Sequence, residues 1–345
     1  MNEFKKILII KLRAIGDVVM STPVIENIRA NFPDSHITFL TEPASHDVIR
    51  GNPYLDELVI LDRPHWMDMP LFKRLKAQWT FYQGLRLNRF DLVLDLFGNP
   101  RSAVLSLITG SPCRVGFDFR VRRFCYNTIV TPRGGEVHEV EFNLDALRAL
   151  GLVVRTTNPY FPLSKGALTN ATHWLSDQGI TDRDLMIGLN PGGGWETKRW
   201  RPDRFSHVAD RLVNEYGARI LLIWGPGERD LVDEVAENME NTPLFLPETT
   251  LEELGAYLTQ CKILLSNDSG PMHIASALNV PAIGIFGPTD PNLQGPYGEQ
   301  NLAVQNLDLD CLCCNRLSCN IGNLCMTDLS PDKVYSEIVR YLNPA

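Results

Sequence analysis

Lys6-Ile7-Leu8-Ile9-Ile10-Lys11-Leu12-Arg13-Ala14-Ile15-Gly16-Asp17 decides the fold class of this 345-residue chain. Residues 6–11 are almost entirely apolar, the pattern of a strand buried on both faces of a parallel sheet. Gly16 then allows a close backbone approach, and apolar residues recur at Val18, Ile25, Ile28 and Phe32 with helical spacing. A strand feeding a glycine turn and then a helix is the opening of a doubly wound α/β unit. Pro23 does not suit a helix interior, so a turn or short helix is expected first, with Thr22 capping a main helix that starts at Pro23.

The same alternation continues outward. Strands are expected at 37–40, 57–61 and 92–96, and the pattern loosens around Asn158-Pro159 and Phe161-Pro162, where one domain gives way to another. A second series then places strands at 185–189, 219–224, 262–266 and 281–286, with helices near 205–216, 229–238 and 251–260. Val334, Ile338 and Leu342, four residues apart, mark an amphipathic helix at the end. A length of 345 residues with 44% hydrophobic content fits two such domains.

Composition excludes several classes. The longest apolar runs, such as 7–10 and 220–224, have strand length, well short of the roughly 20 residues needed to span a bilayer. Lys11 ends the first apolar run too early for a secretion signal, so a cytoplasmic protein is expected. Residues 1–165 hold 21 Lys and Arg against 17 Asp and Glu, and the remainder 12 against 24, so the net −8 divides into +4 and −12. The basic half concentrates its cations at Lys73, Arg74, Lys76, Arg86 and Arg89 and at Arg114, Arg120, Arg122 and Arg123, which suits an anionic partner or a membrane surface, or is an ordinary solvated face. The acidic balance and the lack of a basic helix argue against nucleic acid.

Three loops after strands carry candidate chemistry, because ligands of doubly wound sheets sit at the carboxyl ends of strands. The first holds a single glycine, too few for a dinucleotide fingerprint, and sets Asp17 at a helix start, either as a helix cap or as a general base. The second, 190–200, has three consecutive glycines, Gly192, Gly193 and Gly194, followed by Lys198 and Arg199. Exposed amides beside cations suit a diphosphate. In the third, Asn267-Asp268-Ser269-Gly270-Pro271-Met272-His273, Asp268 and Ser269 either cap the helix or meet a sugar, and His273 is either a donor to that sugar or a core histidine. Cys311, Cys314, Cys319 and Cys325 could supply four thiolates to zinc or an iron–sulfur cluster, or stand in a thiol-rich loop without ligand.

At these residues the chain resembles glycosyltransferase family nine, the heptosyltransferases of lipopolysaccharide. The carriers are Ile9-Ile10-Lys11, Gly16-Asp17-Val18 with Thr22-Pro23, Lys198-Arg199-Trp200, and the Asn267–His273 loop followed by Phe286-Gly287-Pro288-Thr289-Asp290-Pro291. The segment after Asp310 is similar to that of the enzymes that add heptose to heptose. The resemblance implies a GT-B fold of two Rossmann-like domains facing across a cleft. Residues 1–165 would bind acceptor and 166–330 donor, with 331–345 a helix returning toward the first domain.

It further implies inverting transfer from ADP-heptose to a lipid A/Kdo/heptose glycolipid, with no cofactor or metal and with peripheral contact at the inner membrane. Carried over residue by residue, Asp17 matches the general base and Lys198 the donor-phosphate ligand. Glu228 looks like the ribose carboxylate, and the stretch from Leu246 falls where backbone reads adenine. Gly193, Gly194, Asp268, Ser269, Gly270 and His273 fall on the donor side, and Arg13, Gly16, Arg120, Arg122 and Arg123 on the acceptor side. A nucleotide-sugar epimerase of the same fold and a non-catalytic sugar-nucleotide binder are the rival readings.

Overall fold

The computed structural model describes residues 4–343. Met1, Asn2 and Glu3, the start of the segment weighed above as a leader, lie outside the described residues. So do Pro344 and Ala345, the end of the expected last helix. The chain divides into two compact units between Pro162 and Leu163, three residues before the expected boundary.

The first unit carries strands β1 (Lys6–Ile10), β2 (His36–Thr41), β3 (Glu57–Ile60), β4 (Leu92–Asp95), β5 (Cys113–Phe117) and β6 (Thr128–Val130). All pair in parallel, in the order β3-β2-β1-β4-β5-β6. β1 lies between β2 and β4, with Ile7 opposite both Ile37 and Leu92. Its four apolar residues are completely buried, each worth about 1.5–3 kcal/mol relative to exposure, and no polar face is needed because helices cover both sides. The helix Thr22–Asn31 buries Val24, Ile25 and Ile28. Thr22 is its first residue and Ser21 its cap, one position earlier than expected. The Thr22 hydroxyl instead donates to Val19 O at 2.7 Å and accepts the Tyr160 N–H at 2.8 Å. Buried Asn27 also holds the outgoing chain, donating to Thr156 O at 2.7 Å and accepting from Arg155 N at 2.6 Å.

The second unit repeats the design with β7 (Met186–Asn190), β8 (Arg219–Leu222), β9 (Leu244–Phe245), β10 (Ile263–Asn267), β11 (Ala282–Ile285) and β12 (Leu302–Val304). Its order, β9-β8-β7-β10-β11-β12, is the first sheet's order over again. In both sheets the chain reverses its winding beside the first strand, between β1 and β4 and between β7 and β10. Those reversals open the crevices where doubly wound sheets bind ligands.

The last helix, Pro331–Leu342, is part of the second unit. Its apolar face, Val334, Tyr335 and Ile338, is buried in the core of the second unit. Arg211, on the helix Pro202–Tyr216, covers the Tyr335 ring at 3.6 Å. The helix completes the second unit, whose core takes in its three buried residues.

Candidate functional site

In the second unit, the loop after β7 and the loop after β10 meet at the reversal and are tied by side chains. Asn190, at the end of β7, donates to Ser266 Oγ at 2.9 Å and Ser269 Oγ at 2.7 Å. Asn267, at the end of β10, accepts the Trp200 N–H at 3.1 Å and donates to Pro191 O at 2.7 Å. Trp200 is a core residue, stacked edge-on against Phe205 at 5.1 Å. It anchors the far end of the glycine-rich loop.

Held by this frame, Lys198 and Asp268 form an ion pair of 2.6 Å, with side chains only 14% and 7% exposed. Thr289 donates to the same Asp268 oxygen at 2.6 Å, and the Lys198 ammonium also sits 4.4 Å from the Trp195 ring centre. Neither acidic nor hydroxyl residue of the third loop caps the helix Gly270–Ala277, whose cap residue Ser269 makes no side-chain capping bond. Asp268 is given to Lys198 and Ser269 to Asn190. Gly270 opens that helix, with Pro271 behind it, so its first amides face the crevice. His273, in the first turn, is buried.

Glu228 bridges two loops. Its carboxylate accepts the Gly193 N–H at 2.9 Å and the Gly225 N–H at 3.1 Å. The Gly193 N–H, expected to face a phosphate, is engaged here by Glu228, which lies close against this loop. A Cβ on Gly192 would stand 2.3 Å from the Glu228 carboxylate, which explains a glycine there. Gly194 is exposed. Leu246 directly follows the edge strand β9. Its N–H donates to Leu222 O at 2.9 Å and its carbonyl accepts from Trp224 Nε1 at 2.8 Å, so its own backbone serves the sheet edge. The neighbouring cations are mostly spent locally: Arg199 on Gly193 O at 2.9 Å, Arg201 on Asp203 at 2.9 Å, and Arg204 on Leu329 O.

In the first unit, Asp17 sits in the first turn of the helix Ile15–Val19 and accepts the Ala14 N–H at 3.0 Å through Oδ2. It closes the helix start, as one reading had it; among the described residues its Oδ1 takes no hydrogen bond. Beside it lies a residue whose role sequence reasoning missed. Lys11 is buried, and its ammonium reaches Glu139 Oε1 at 2.7 Å, Leu96 O at 3.1 Å and Asn143 Oδ1 at 3.2 Å. Burial alone would depress this ammonium. Glu139 and then Asp17 more than offset that, holding its pKa above the ordinary value. A lysine closing a buried apolar strand was the available signal.

Across the reversal, buried Asp95 ends β4. It accepts the Phe97 and Gly98 N–H groups, both at 3.0 Å, and the Tyr126 hydroxyl at 2.7 Å. Burial raises its pKa despite these bonds, and burial together with Asp95 raises that of Tyr126. This network shapes the turn after β4. Arg122 joins it by donating to Gly98 O at 2.7 Å, Arg123 pairs with Asp118 at 3.5 Å, and Arg120 is exposed. Arg13 is exposed and Gly16 buried.

Cys311, Cys314, Cys319 and Cys325 line one cavity of about 300 Å³ in the second unit. Among the described residues no three metal-ligating side chains are disposed to hold an ion. Cys319 Sγ accepts the Asn323 N–H at 3.3 Å, and Cys313 turns away toward Thr289 O at 3.7 Å. No helix among the described residues is long and apolar enough to cross a membrane.

Comparison with known proteins bears directly on this arrangement. The profile of Glycosyltransferase family 9 (heptosyltransferase) matches residues 78–324. Lipopolysaccharide heptosyltransferase 3 of Escherichia coli is 29% identical over 297 residues, 81% of this chain and 82% of that protein. A family 9 glycosyl transferase from Veillonella parvula superposes with a TM-score of 0.79 at 27% identity, covering 88% of this chain and 86% of its own. The ADP-heptose lipopolysaccharide heptosyltransferase II of Escherichia coli has a TM-score of 0.77 at 21% identity over 98% of both chains. These matches bear out the expected GT-B fold.

Proposed function

We propose, for a chain that belongs to glycosyltransferase family 9, the heptosyltransferases, that it transfers heptose from ADP-heptose to the inner core of lipopolysaccharide with inversion at the anomeric carbon. The family match over residues 78–324 carries this reading, since it spans the loops that hold Lys198, Glu228 and Asp268.

Inverting transfer needs a base on the acceptor hydroxyl and a positive environment for the departing diphosphate. Asp17 supplies the base through Oδ1, while Oδ2 stays fixed on the Ala14 amide. Lys11, whose buried ammonium lies within electrostatic reach of Asp17, acts as a positioning residue. Arg13 and Gly16 border the acceptor hydroxyl, and Arg120, Arg122 and Arg123 take the acceptor's anionic groups.

On the donor side the Lys198 ammonium, the exposed Gly194 backbone and the amide end of the helix Gly270–Ala277 receive the diphosphate charge, which removes the need for a metal ion. Lys198 must then be shared between Asp268 and the phosphate. Asp268 and Ser269 hold sugar hydroxyls, with His273 behind them. Glu228 keeps lone pairs for the ribose hydroxyls beyond its two amide bonds. Acceptor recognition on an anionic glycolipid accords with the +4 balance of residues 1–165 and with work at the inner face of the membrane.

The stereochemistry of the product tests this. NMR of the isolated glycolipid should show the anomer opposite to that of the donor, formed at the same rate with and without EDTA. Retention, or arrest by EDTA, would overturn the mechanism.

A further inference from the structure

The helix Leu71–Leu87 has two apolar faces. Ala77, Phe81 and Leu85 turn inward, against Trp66 and the core. Phe72, Leu75 and Trp79, at positions i, i+3 and i+7, form a second stripe that is exposed: Phe72 by 87% and Trp79 by 64%. A soluble surface helix ordinarily keeps one apolar face.

Its neighbours extend the feature. The helix Pro100–Thr109 packs beside it and exposes Val104 and Leu107; the turn Arg120–Cys125 packs beside that helix in turn and exposes Val121 and Phe124, at 77% and 78%. Together the three segments carry Lys73, Arg74, Lys76, Arg86, Arg101, Arg120, Arg122 and Arg123 and not one acidic residue. Arg101 faces Glu42 and Arg123 faces Asp118, each at 3.5 Å, while the other cations of these segments make no ion pair among the described residues. Bulky apolar tips among such an excess of cations match a headgroup interface, where aromatic rings enter the acyl boundary and cations meet anionic lipid. A soluble partner of ordinary composition would have no reason to leave all three segments without a carboxylate of their own.

We infer that the face formed by the helices Leu71–Leu87 and Pro100–Thr109 and the turn Arg120–Cys125 docks on an anionic phospholipid bilayer, with Phe72, Leu75 and Trp79 inserted below the headgroups. This deepens the proposed reading, on which the choice of a membrane-borne acceptor rests, but the docking itself requires neither donor nor acceptor.

The test uses the full chain and vesicles of phosphatidylcholine with or without phosphatidylglycerol, at low salt. The chain should co-sediment with the anionic vesicles only, and lipids brominated on the acyl chain should quench an emission component that Trp79→Phe lacks. The triple variant Phe72→Ser, Leu75→Ser, Trp79→Ser alters only exposed side chains; its partition coefficient should fall about tenfold or more with thermal unfolding unchanged. Lys73→Glu with Lys76→Glu should lower it at least about fivefold per charge. Absence of binding by the native chain, or binding undiminished in the triple variant, would overturn the inference. So would a native dimer that the triple variant dissolves, because the stripe would then belong to a second copy. If vesicle binding holds while heptose transfer fails, the functional reading falls and the docking face stands.

Discussion

Replacing Lys198 by Met tests the proposed donor crevice most sharply, because it separates the pair's structural role from its proposed binding role. The Lys198–Asp268 contact of 2.6 Å is nearly closed to water, and among the described residues the only other side chain bonded to that carboxylate is Thr289. Removing the ammonium strands an anion that is 7% exposed, a loss of about 3 kcal/mol at the low end for buried pairs, since Lys198 itself keeps 14% exposure. In a unit of this size that lowers its thermal midpoint by about 6–12 °C. Adding Asp268→Asn removes the stranded charge, so the double variant should regain most of the loss, with a coupling of about 2 kcal/mol in a double-mutant cycle. Calorimetric titration with ADP should show binding weakened about tenfold to 150-fold in Lys198→Met, the worth of one charge-assisted bond to phosphate. Asp268→Asn alone should spare ADP and weaken only ADP-heptose. A Lys198→Met protein with unchanged midpoint, or with native ADP affinity, would refute the reasoning.

Other consequences are as direct. Gly192→Ala places a methyl 2.3 Å from the Glu228 carboxylate, so it should displace Glu228 from the Gly193 amide and weaken ADP binding at least about tenfold, read by the same titration. Alkylation at pH 8 should label Cys311, Cys314 and Cys319 and spare Cys261 and Cys325, whose thiols burial pushes up to about 12 and about 11; peptide mass mapping decides. Asp145 is buried, which alone would raise its pKa, but its bonds to Arg133 at 2.6 Å and Arg148 at 2.7 Å hold it below the ordinary carboxylate value. A depressed carboxylate stabilises above its unfolded pKa of about 4 and loses that contribution as the pH falls through its lower folded value. Asp145→Asn should therefore cost about 1–2 kcal/mol at pH 7, the arginines being partly exposed, and almost nothing near pH 2 in urea unfolding.

The central strands were legible because both faces are buried. β1, β4, β7 and β10 are nearly unbroken apolar runs; lysines bound β1, and Gly98, Pro191 and Gly270 follow the ends of β4, β7 and β10. β6, β9 and β12 escaped notice for the opposite reason: two or three residues long and only partly buried, they are defined by the strand beside them. β5 carries Arg114 and Gly116, and only the fold reveals that Gly116 makes room for the Tyr126 ring.

At the site, Lys198 and Asp268 could be singled out by residue type and loop position, but not as partners, since seventy residues separate them. The engagement of the Gly193 amide by Glu228 and of the Leu246 backbone by Leu222 and Trp224 was hidden for the same reason. Lys11 and Asp95 look like ordinary strand ends in sequence; burial and the groups around them give them their roles. The last helix was legible as one that packs, but its amphipathic pattern does not name the core it enters.

The most direct measurement of the central claim is transfer itself, with ADP-heptose and Kdo-terminated or heptose-terminated inner-core acceptors, for the native chain and Asp17→Asn. The account predicts release of ADP matched by one heptose gained on the glycolipid. Asp17→Asn should turn over about 10²- to 10⁴-fold more slowly with donor affinity intact. Full turnover without Asp17, or acceptor-independent epimerisation of the nucleotide sugar, would contradict it.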